Sequence, residues 1–297
     1  MKSSMFVHYE PTSIDQAIMI LADVAEHEGR IIAGGQTLVP AMALRLAQPA
    51  YLVDINRIEE LHTLEVQENH LAIRACVRHA AFHQPVCSGV LGQLLSTVVR
   101  HIAHLPIRNR GTFCGSVANA DAASEWCLVS TVLEATMRVR NLRSQRDIPA
   151  GEFFLGFMAT ALNADELLVE VRIPILPLNA RFGFEEYSRR AGDFAQAMAL
   201  TVYELHDGLI ANARLGVGGV EGAARRLIQA EACLNGQPPK PELFELAADM
   251  AAQTVEPSDI TAEQKAYKRA LVRTVVRRSL EKTTNQPSVE PFAGETK

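Results

Sequence analysis

Two short segments carry small and hydroxyl-bearing residues in patterns that suit a phosphorylated ligand. The first is Ala33-Gly34-Gly35-Gln36-Thr37. Consecutive glycines let the backbone turn sharply and approach a ligand closely. Thr37 stands where a helix could start, and the free N–H groups of a helix start attract anions. The segment therefore suits a diphosphate without any basic side chain, although a plain strand-to-helix turn gives the same pattern.

The second segment is Arg110-Gly111-Thr112-Phe113-Cys114-Gly115-Ser116-Val117-Ala118-Asn119-Ala120-Asp121. It is rich in small residues and hydroxyls, and we expect it to form a loop. It ends near two acids, Asp121 and Glu125, which could accept hydrogen bonds from ribityl or ribose hydroxyls. A solvated loop before a helix has the same composition, so the segment alone leaves both interpretations open.

The elements around the first segment are the clearest in the chain. Ser13 and Gln16 have capping-box spacing, and apolar residues then recur with helical periodicity. The first 55 residues are predicted to alternate strand, helix, strand, helix and strand, with the Gly-Gly turn at the end of the middle strand. Farther on, we expect a helix from Val90 to His104, helix or strand from Val129 to Arg140, and a strand over Leu167 to Ile173.

Pro174 and Pro177 indicate a domain boundary, and the predicted secondary structure changes after them. The turn His206-Asp207-Gly208 separates two strand-like runs, which predicts an antiparallel pair. The predicted elements of this part are strands over Ala195 to Leu205 and Ala211 to Val220, and helices over residues 223–234, residues 241–252 and Ala262 to Glu281.

Composition excludes several classes of protein. The 297 residues are 48% hydrophobic and 21% charged, which is an ordinary globular mix. The net charge is −5, so a nucleic-acid partner is not expected. No apolar run is long enough for a transmembrane segment, and the N-terminal residues lack the apolar core of a signal peptide, so we expect a cytoplasmic protein. The five cysteines contain no C-x-x-C pair, so neither a disulfide framework nor a zinc or iron–sulfur site is expected on this chain.

Taken together, the two segments resemble the FAD-binding medium subunit of the molybdenum hydroxylases, the xanthine dehydrogenase and carbon monoxide dehydrogenase family. The family's first loop has the sequence A-G-G-x-[ST]-L, which Ala33 to Leu38 match. Its second loop has the sequence R-N-R-G-T-[IV]-G-G-[NS]-[LIV]-A, which Arg108 to Ala118 match, with Phe113 in place of Ile or Val and with Cys114 in place of the first of the two adjacent glycines. The resemblance extends over roughly residues 5–282.

This resemblance implies an α+β fold. A PCMH-type FAD-binding domain over residues 1–176 would have two subdomains, about 1–57 and 58–176. A small α+β C-terminal domain with an antiparallel sheet, as in carbon monoxide dehydrogenase flavoproteins, would occupy residues 177–282. Residues 283–297 are expected to form a disordered tail.

The resemblance also implies which residues bind FAD. The two loops would hold the diphosphate, Leu168 would make a backbone contact, and Tyr187 lies near the position of an aromatic residue over the flavin ring. Glu185 stands where some relatives have a lysine. Cys114 replaces a loop glycine, so it must adopt a negative φ or accept strain, and it could be oxidised if exposed. The full expected set is Ile32, Ala33, Gly34, Gly35, Gln36, Thr37, Leu38, Ile102, Thr112, Cys114, Gly115, Ser116, Asn119, Asp121, Glu125, Leu168, Glu185 and Tyr187.

The implied function is electron transfer, with no catalytic or metal-binding residue on this chain. Electrons would pass from 2Fe–2S clusters of a small subunit through FAD to an external acceptor. A large subunit would carry molybdopterin cytosine dinucleotide, in a dimer of heterotrimers. The alternatives are an FAD-free scaffold of the same fold and a free-standing flavin oxidase. The substrate stays open between an N-heterocyclic aromatic, an aldehyde, an aryl-CoA thioester and carbon monoxide, and so does the terminal acceptor.

Overall fold

The N-terminal part is a small parallel sheet with helices between its strands. The computed structural model describes residues 2–258 and 261–284. The first elements are β1 (Val7–Tyr9), α1 (Ile14–Val24), β2 (Gly29–Ile32), α2 (Leu38–Ala43) and β3 (Tyr51–Asp54). The predicted alternation is confirmed, and the hydroxyl of Ser13 caps α1 by accepting from the Gln16 N–H at 3.2 Å. The strand order is β1-β3-β2, so β2 and β3 end side by side at one edge.

The middle of the chain builds a five-stranded antiparallel sheet from strands far apart in sequence. The strand order is β4-β5-β10-β6-β7. Glu170 of the central strand is fully buried, and Arg74 and Arg172 lie 3.0 Å and 2.5 Å from its carboxylate. The elements are β4 (Leu64–Gln67), β5 (His70–Arg74), α3 (Gly89–Val98), α4 (Leu105–Arg108), α5 (Phe113–Asn119), α6 (Glu125–Val132), β6 (Thr136–Arg140), β7 (Gln145–Pro149), α7 (Ala150–Phe153), β8 (Phe154–Gly156), β9 (Ala159–Thr160) and β10 (Leu167–Pro174).

The C-terminal part is an antiparallel sheet of order β11-β12-β13-β14 covered by helices. Its elements are β11 (Ala180–Tyr187), β12 (Ala197–His206), β13 (Leu209–Gly218), β14 (Arg225–Arg226), α8 (Ile228–Leu234), α9 (Pro241–Thr254) and α10 (Ala262–Thr284). The predicted antiparallel pair is confirmed as β12 and β13. Helix α10 crosses β11 so closely that a Cβ on Gly183 would lie 1.8 Å from the Ser279 carbonyl oxygen.

Strand β12 is buried on both faces, because its alternate side chains enter two different cores. Met198, Leu200 and Val202 pack into the core of the N-terminal and middle sheets. Ala197, Ala199 and Tyr203 pack into the core beneath α8, α9 and α10. The two halves of the chain are therefore joined through the interior.

Several predicted boundaries were wrong. The helix predicted from Val90 to His104 ends at Val98, and α4 begins separately at Leu105. The segment from Arg110 to Asp121, predicted as a loop, contains α5, because the Thr112 side chain caps the Gly115 N–H at 3.0 Å. The stretch from Val129 to Arg140 holds the end of α6 and all of β6. The helix predicted over residues 223–234 begins only at Ile228, after β14.

Across residues 2–258 and 261–284, no helix combines the length and apolar character that crossing a membrane requires. The predicted tail, residues 283–297, lies outside the described residues except for Thr283 and Thr284, which complete α10.

Candidate cofactor-binding site

A cleft of about 750 Å³ opens between the end of the N-terminal sheet, α5 and the start of β10. Cofactor pockets typically have volumes of roughly 300–1,000 Å³. All the residues expected to bind FAD except Glu185 and Tyr187 line this cleft. They are Ile32, Ala33, Gly34, Gly35, Gln36, Thr37, Leu38, Ile102, Thr112, Cys114, Gly115, Ser116, Asn119, Asp121, Glu125 and Leu168.

The first loop joins β2 to α2 and presents its backbone to the cleft. Gly35 has φ +70°, in the left-handed region that favours glycine, and the Gln36 side-chain amide donates to the Gly34 carbonyl at 2.9 Å. Within the described chain, the N–H groups of residues 34–37 donate to no other backbone group outside regular helices and strands. The loop therefore offers backbone donors to an anionic ligand.

The second segment contains α5, and the thiol of Cys114, in the first turn of this helix, bonds into the core. Cys114 is 2% exposed, and its thiol donates to the Ile73 carbonyl at 3.3 Å. Its φ is not positive, so the replacement of a loop glycine brings no left-handed strain. Burial raises the pKa of the thiol, which disfavours the reactive thiolate. Oxidation of Cys114 was expected only if the residue were exposed, and its burial means that this condition is not met.

The two loops touch each other at a glycine. A Cβ on Gly34 would lie 2.4 Å from the Arg110 carbonyl oxygen and 2.6 Å from the Cα of Gly111. A side chain at this position would force the loops apart. Gly34 is thus required for the separation of the loops, which sets the width of the cleft.

A pair of polar side chains, Asn56 and Arg78, holds the loops together from behind; we call them the loop clamp. The Asn56 amide donates to the Ala33 carbonyl at 2.7 Å. Arg78 donates to Oδ1 of Asn56 at 2.5 Å and also to the Arg110 carbonyl. The clamp therefore bonds to one carbonyl of each loop.

His79 lies at the floor of the cleft beside the second loop. It is 4% exposed, and the Trp126 indole N–H donates to its Nδ1 at 2.9 Å. Indole nitrogen is a donor only, so Nδ1 must be the acceptor and the ring proton sits on Nε2. Burial, together with the charges of Arg78 and Arg108, lowers the pKa of His79 to about 4, so the ring is neutral at neutral pH.

Two carboxyl groups, that of Glu125 in the cleft wall and that of its neighbour Glu186, hold protons more tightly than usual. Burial, with the nearby charge of Asp121, raises the pKa of Glu125 to about 7. Burial, with the charges of Glu125 and Glu185, raises the pKa of Glu186 to about 8. Among the described residues, none hydrogen-bonds Oε2 of Glu186, and Nδ1 of His101 is 3.8 Å from it. This side of the cleft is therefore less negative at neutral pH than its composition indicates.

The far rim of the cleft is the turn that contains Gly192, Asp193 and Phe194. A Cβ on Gly192 would lie 2.4 Å from the His104 ring, so the turn packs directly on that side chain. Lys268 of α10 supports the end of the turn, donating to the Gln196 carbonyl at 2.6 Å and the Gly219 carbonyl at 3.0 Å. A helix of the C-terminal part thus positions a rim of the cleft.

Glu185 and Tyr187 lie outside the cleft, so the structure does not place them with the other expected residues. Glu185 is ion-paired with Lys282 at 2.6 Å and Arg278 at 3.2 Å. The Tyr187 hydroxyl is hydrogen-bonded to Tyr267, and the side chain is 40% exposed. Both residues contact α10, because this helix packs across β11, the strand that contains them.

The arrangement fits FAD. The N–H groups of the first loop make no backbone hydrogen bond outside regular helices and strands among the described residues, so they can bind a diphosphate at the cleft wall. Asp121 and Glu125 offer acceptors for hydroxyl groups, and Ile102 and Leu168 offer apolar surface for a ring.

Sequence reasoning missed Asn56, Arg78, His79 and Lys268. The parallel pairing places Ile32 opposite Asp54, so the residues after β3 had to lie beside the first loop, and this signal could have found Asn56. Nothing in the local sequence marks Arg78 or Lys268, because their contacts are 32 and 72 residues away.

Comparison with known proteins agrees with this geometry. Residues 4–176 match the family model for the FAD binding domain in molybdopterin dehydrogenase. Residues 182–283 match the model for the CO dehydrogenase flavoprotein C-terminal domain. The nicotine 6-hydroxylase medium subunit of Paenarthrobacter nicotinovorans is 36% identical over 282 residues, covering 94% of this chain and 98% of that protein.

Solved structures give the same result. A carbon monoxide dehydrogenase from Hydrogenophaga pseudoflava that lacks the Mo-pyranopterin moiety of its cofactor contains a chain with a TM-score of 0.90 and 31% identity, covering 96% of this chain and 99% of that one. Quinoline 2-oxidoreductase from Pseudomonas putida 86 contains a chain with a TM-score of 0.89 and 34% identity, covering 95% of this chain and 98% of that one.

Proposed function

Because this chain belongs to the family of FAD-binding medium subunits of the molybdenum hydroxylases, we propose that it carries electrons within an oxidoreductase complex. Electrons would enter from 2Fe–2S clusters on a small partner subunit and leave through FAD to an external acceptor. A large partner subunit with molybdopterin cytosine dinucleotide would act on the organic substrate, and the three subunits would form a dimer of heterotrimers.

The observation that carries the proposal is the cleft itself, in which two loops about 80 residues apart in sequence meet at Gly34. FAD, when bound, supplies the redox chemistry. The residues of this chain bind and orient it: the loop clamp fixes the width of the cleft, and the rim supported by Lys268 limits its opening.

The relatives support an N-heterocyclic aromatic as the first substrate class to test. The names of two similar proteins refer to nicotine and to quinoline, both of which contain an aromatic nitrogen ring. Such a substrate would bind on the large subunit, and this chain would only receive its electrons. The FAD-free scaffold is not favoured, because its support was Cys114, which bonds into the core and leaves the cleft open.

The test is anaerobic reduction of the bound flavin, followed by the absorbance of its long-wavelength band. The chain alone, loaded with FAD, should keep its absorbance when quinoline or nicotine is added. The complete complex should lose it with a substrate that the large subunit accepts. Bleaching in the chain alone would overturn the electron-transfer role and favour a free-standing oxidase.

A further inference from the structure

We propose that His79 binds the cofactor directly, as an electrically neutral hydrogen-bond donor to the diphosphate through Nε2–H. The inference rests on the proposed FAD site and adds a ligand that the loop motifs do not contain. Its basis is the contact between Trp126, His79 and the second loop.

The His79 ring lies against the second loop. His79 begins a short 3-10 turn, and its backbone N–H donates to the Gly111 carbonyl at 3.0 Å, which ties the residue to the second loop. The ring edge that carries Nε2 lies against Gly111, where a Cβ would be 2.6 Å from that nitrogen. Gly34 of the first loop also approaches Gly111, because a Cβ on Gly34 would lie 2.6 Å from the Gly111 Cα. Nε2 is therefore next to the place where the two loops meet.

The protonation of the ring follows from Trp126. Because the indole N–H occupies Nδ1, the proton must be on Nε2. Among the described residues, no side chain or backbone group hydrogen-bonds to Nε2, although His79 lines the cleft. Unlike Nε2 of His70, this nitrogen is not fully enclosed by the protein, so it can donate to a ligand in the cleft.

The chemistry of the donor suits a diphosphate held mainly by backbone N–H groups. A neutral donor supplies a hydrogen bond without placing an extra buried positive charge beside Arg78 and Arg108. Trp126 thus acts as a positioning residue: it fixes the tautomer but does not reach the cofactor.

The experiment measures the dissociation constants of FAD and riboflavin for the full chain after removal of its flavin. His79→Leu should weaken FAD binding about 10- to 100-fold, as expected for loss of a hydrogen bond to a charged group, and leave riboflavin binding unchanged. His79→Gln should restore most of the affinity, since its amide can accept from Trp126 and still donate. His206→Leu, an exposed change remote from the cleft, is the matched control.

A second measurement does not depend on affinity. Nitrogen NMR of the flavin-free chain should show His79 protonated at Nε2 only, and Trp126→Phe should release this tautomer to a mixture. Equal FAD affinity in wild type and His79→Leu, or equal weakening of FAD and riboflavin, would overturn the contact with the diphosphate. Failure of the wild-type chain to bind FAD would instead refute the proposed function, so the two failures are distinguishable.

Discussion

Asn56→Leu removes the amide of the loop clamp while keeping the size of the side chain, and we expect weaker FAD binding in a folded protein. The variant loses three bonds: the 2.7 Å bond to the Ala33 carbonyl, the 2.6 Å bond to Oδ1 of Asp54 and the 2.5 Å bond from Arg78. Arg78 keeps its bond to the Arg110 carbonyl, so the second loop stays in place while the first is released.

The size of the effect follows from these bonds. A neutral hydrogen bond contributes about 1 kcal/mol net, and we give the bond from Arg78 a similar value because both side chains are partly exposed. The loss of three such bonds, about 3 kcal/mol in total, should lower the unfolding temperature by roughly 5 °C for a chain of this size. Ordering one released loop residue on binding costs about 1–2 kcal/mol, so the dissociation constant of FAD should rise about tenfold.

Isothermal titration with FAD and thermal unfolding of the flavin-free chain measure the two quantities. Asn179→Leu is the matched control, because it loses an exposed bond to the Leu205 carbonyl far from the cleft. Arg78→Met and the double variant complete a cycle. If the losses of the two single variants simply add, Asn56 and Arg78 do not act as one clamp and the reasoning fails.

Three further predictions concern the cleft and its surroundings. Gly34→Ala should abolish stable flavin retention after desalting, since its Cβ would lie 2.4 Å from the Arg110 carbonyl, whereas Gly151→Ala, with nothing within 4 Å, should retain flavin as wild type does. Cys114→Gly should lower the free energy of unfolding, measured in urea, by about 2 kcal/mol, because the variant loses the packing of the thiol and places a glycine in α5. The variant should keep its flavin, and loss of flavin in a folded variant would contradict our placement of the thiol. Glu186→Gln should flatten the pH dependence of the unfolding temperature. From about pH 6.5 to 8 the folded chain keeps a proton on Glu186 that the unfolded carboxyl has lost, so the stability of the wild type falls as pH rises. Below about pH 6.5 the lowered pKa of His79 has the opposite effect, because the unfolded imidazole binds a proton that the folded one does not, and stability rises with pH. An unchanged slope above pH 6.5 would show that Glu186 is already ionised.

The sequence predicted best where local periodicity and a cap agree. Ser13 and the apolar positions after it located α1, and the turn at residues 206–208 located the hairpin of β12 and β13. Small residues conceal helical periodicity, which is why α5 was expected to be a loop. Its start depends on a single cap, the Thr112 hydroxyl, and not on an apolar stripe.

The site was predictable as two loops but not as a cleft. Ala33 to Leu38 line it, as do Thr112, Cys114, Gly115 and Ser116. The width of the cleft depends on contacts between residues far apart in sequence, such as the hydrogen bond from Arg78 to the Arg110 carbonyl, and local sequence patterns do not reveal such contacts. Glu185 and Tyr187 show the converse, because α10 contacts their strand from a position about 90 residues later.

Because the side chains on both faces of β12 are buried, each in a different core, cutting the chain between its two halves would affect both cores. A fragment ending near Pro174 would lose Met198, Leu200 and Val202 from its core and leave that apolar surface in water. A fragment beginning there would keep its helices but expose the same three side chains. We therefore expect that neither half folds alone, and that the boundary predicted at these prolines separates two architectures but not two cooperative units. Insertions or fusions at this point would consequently change the stability of both parts together.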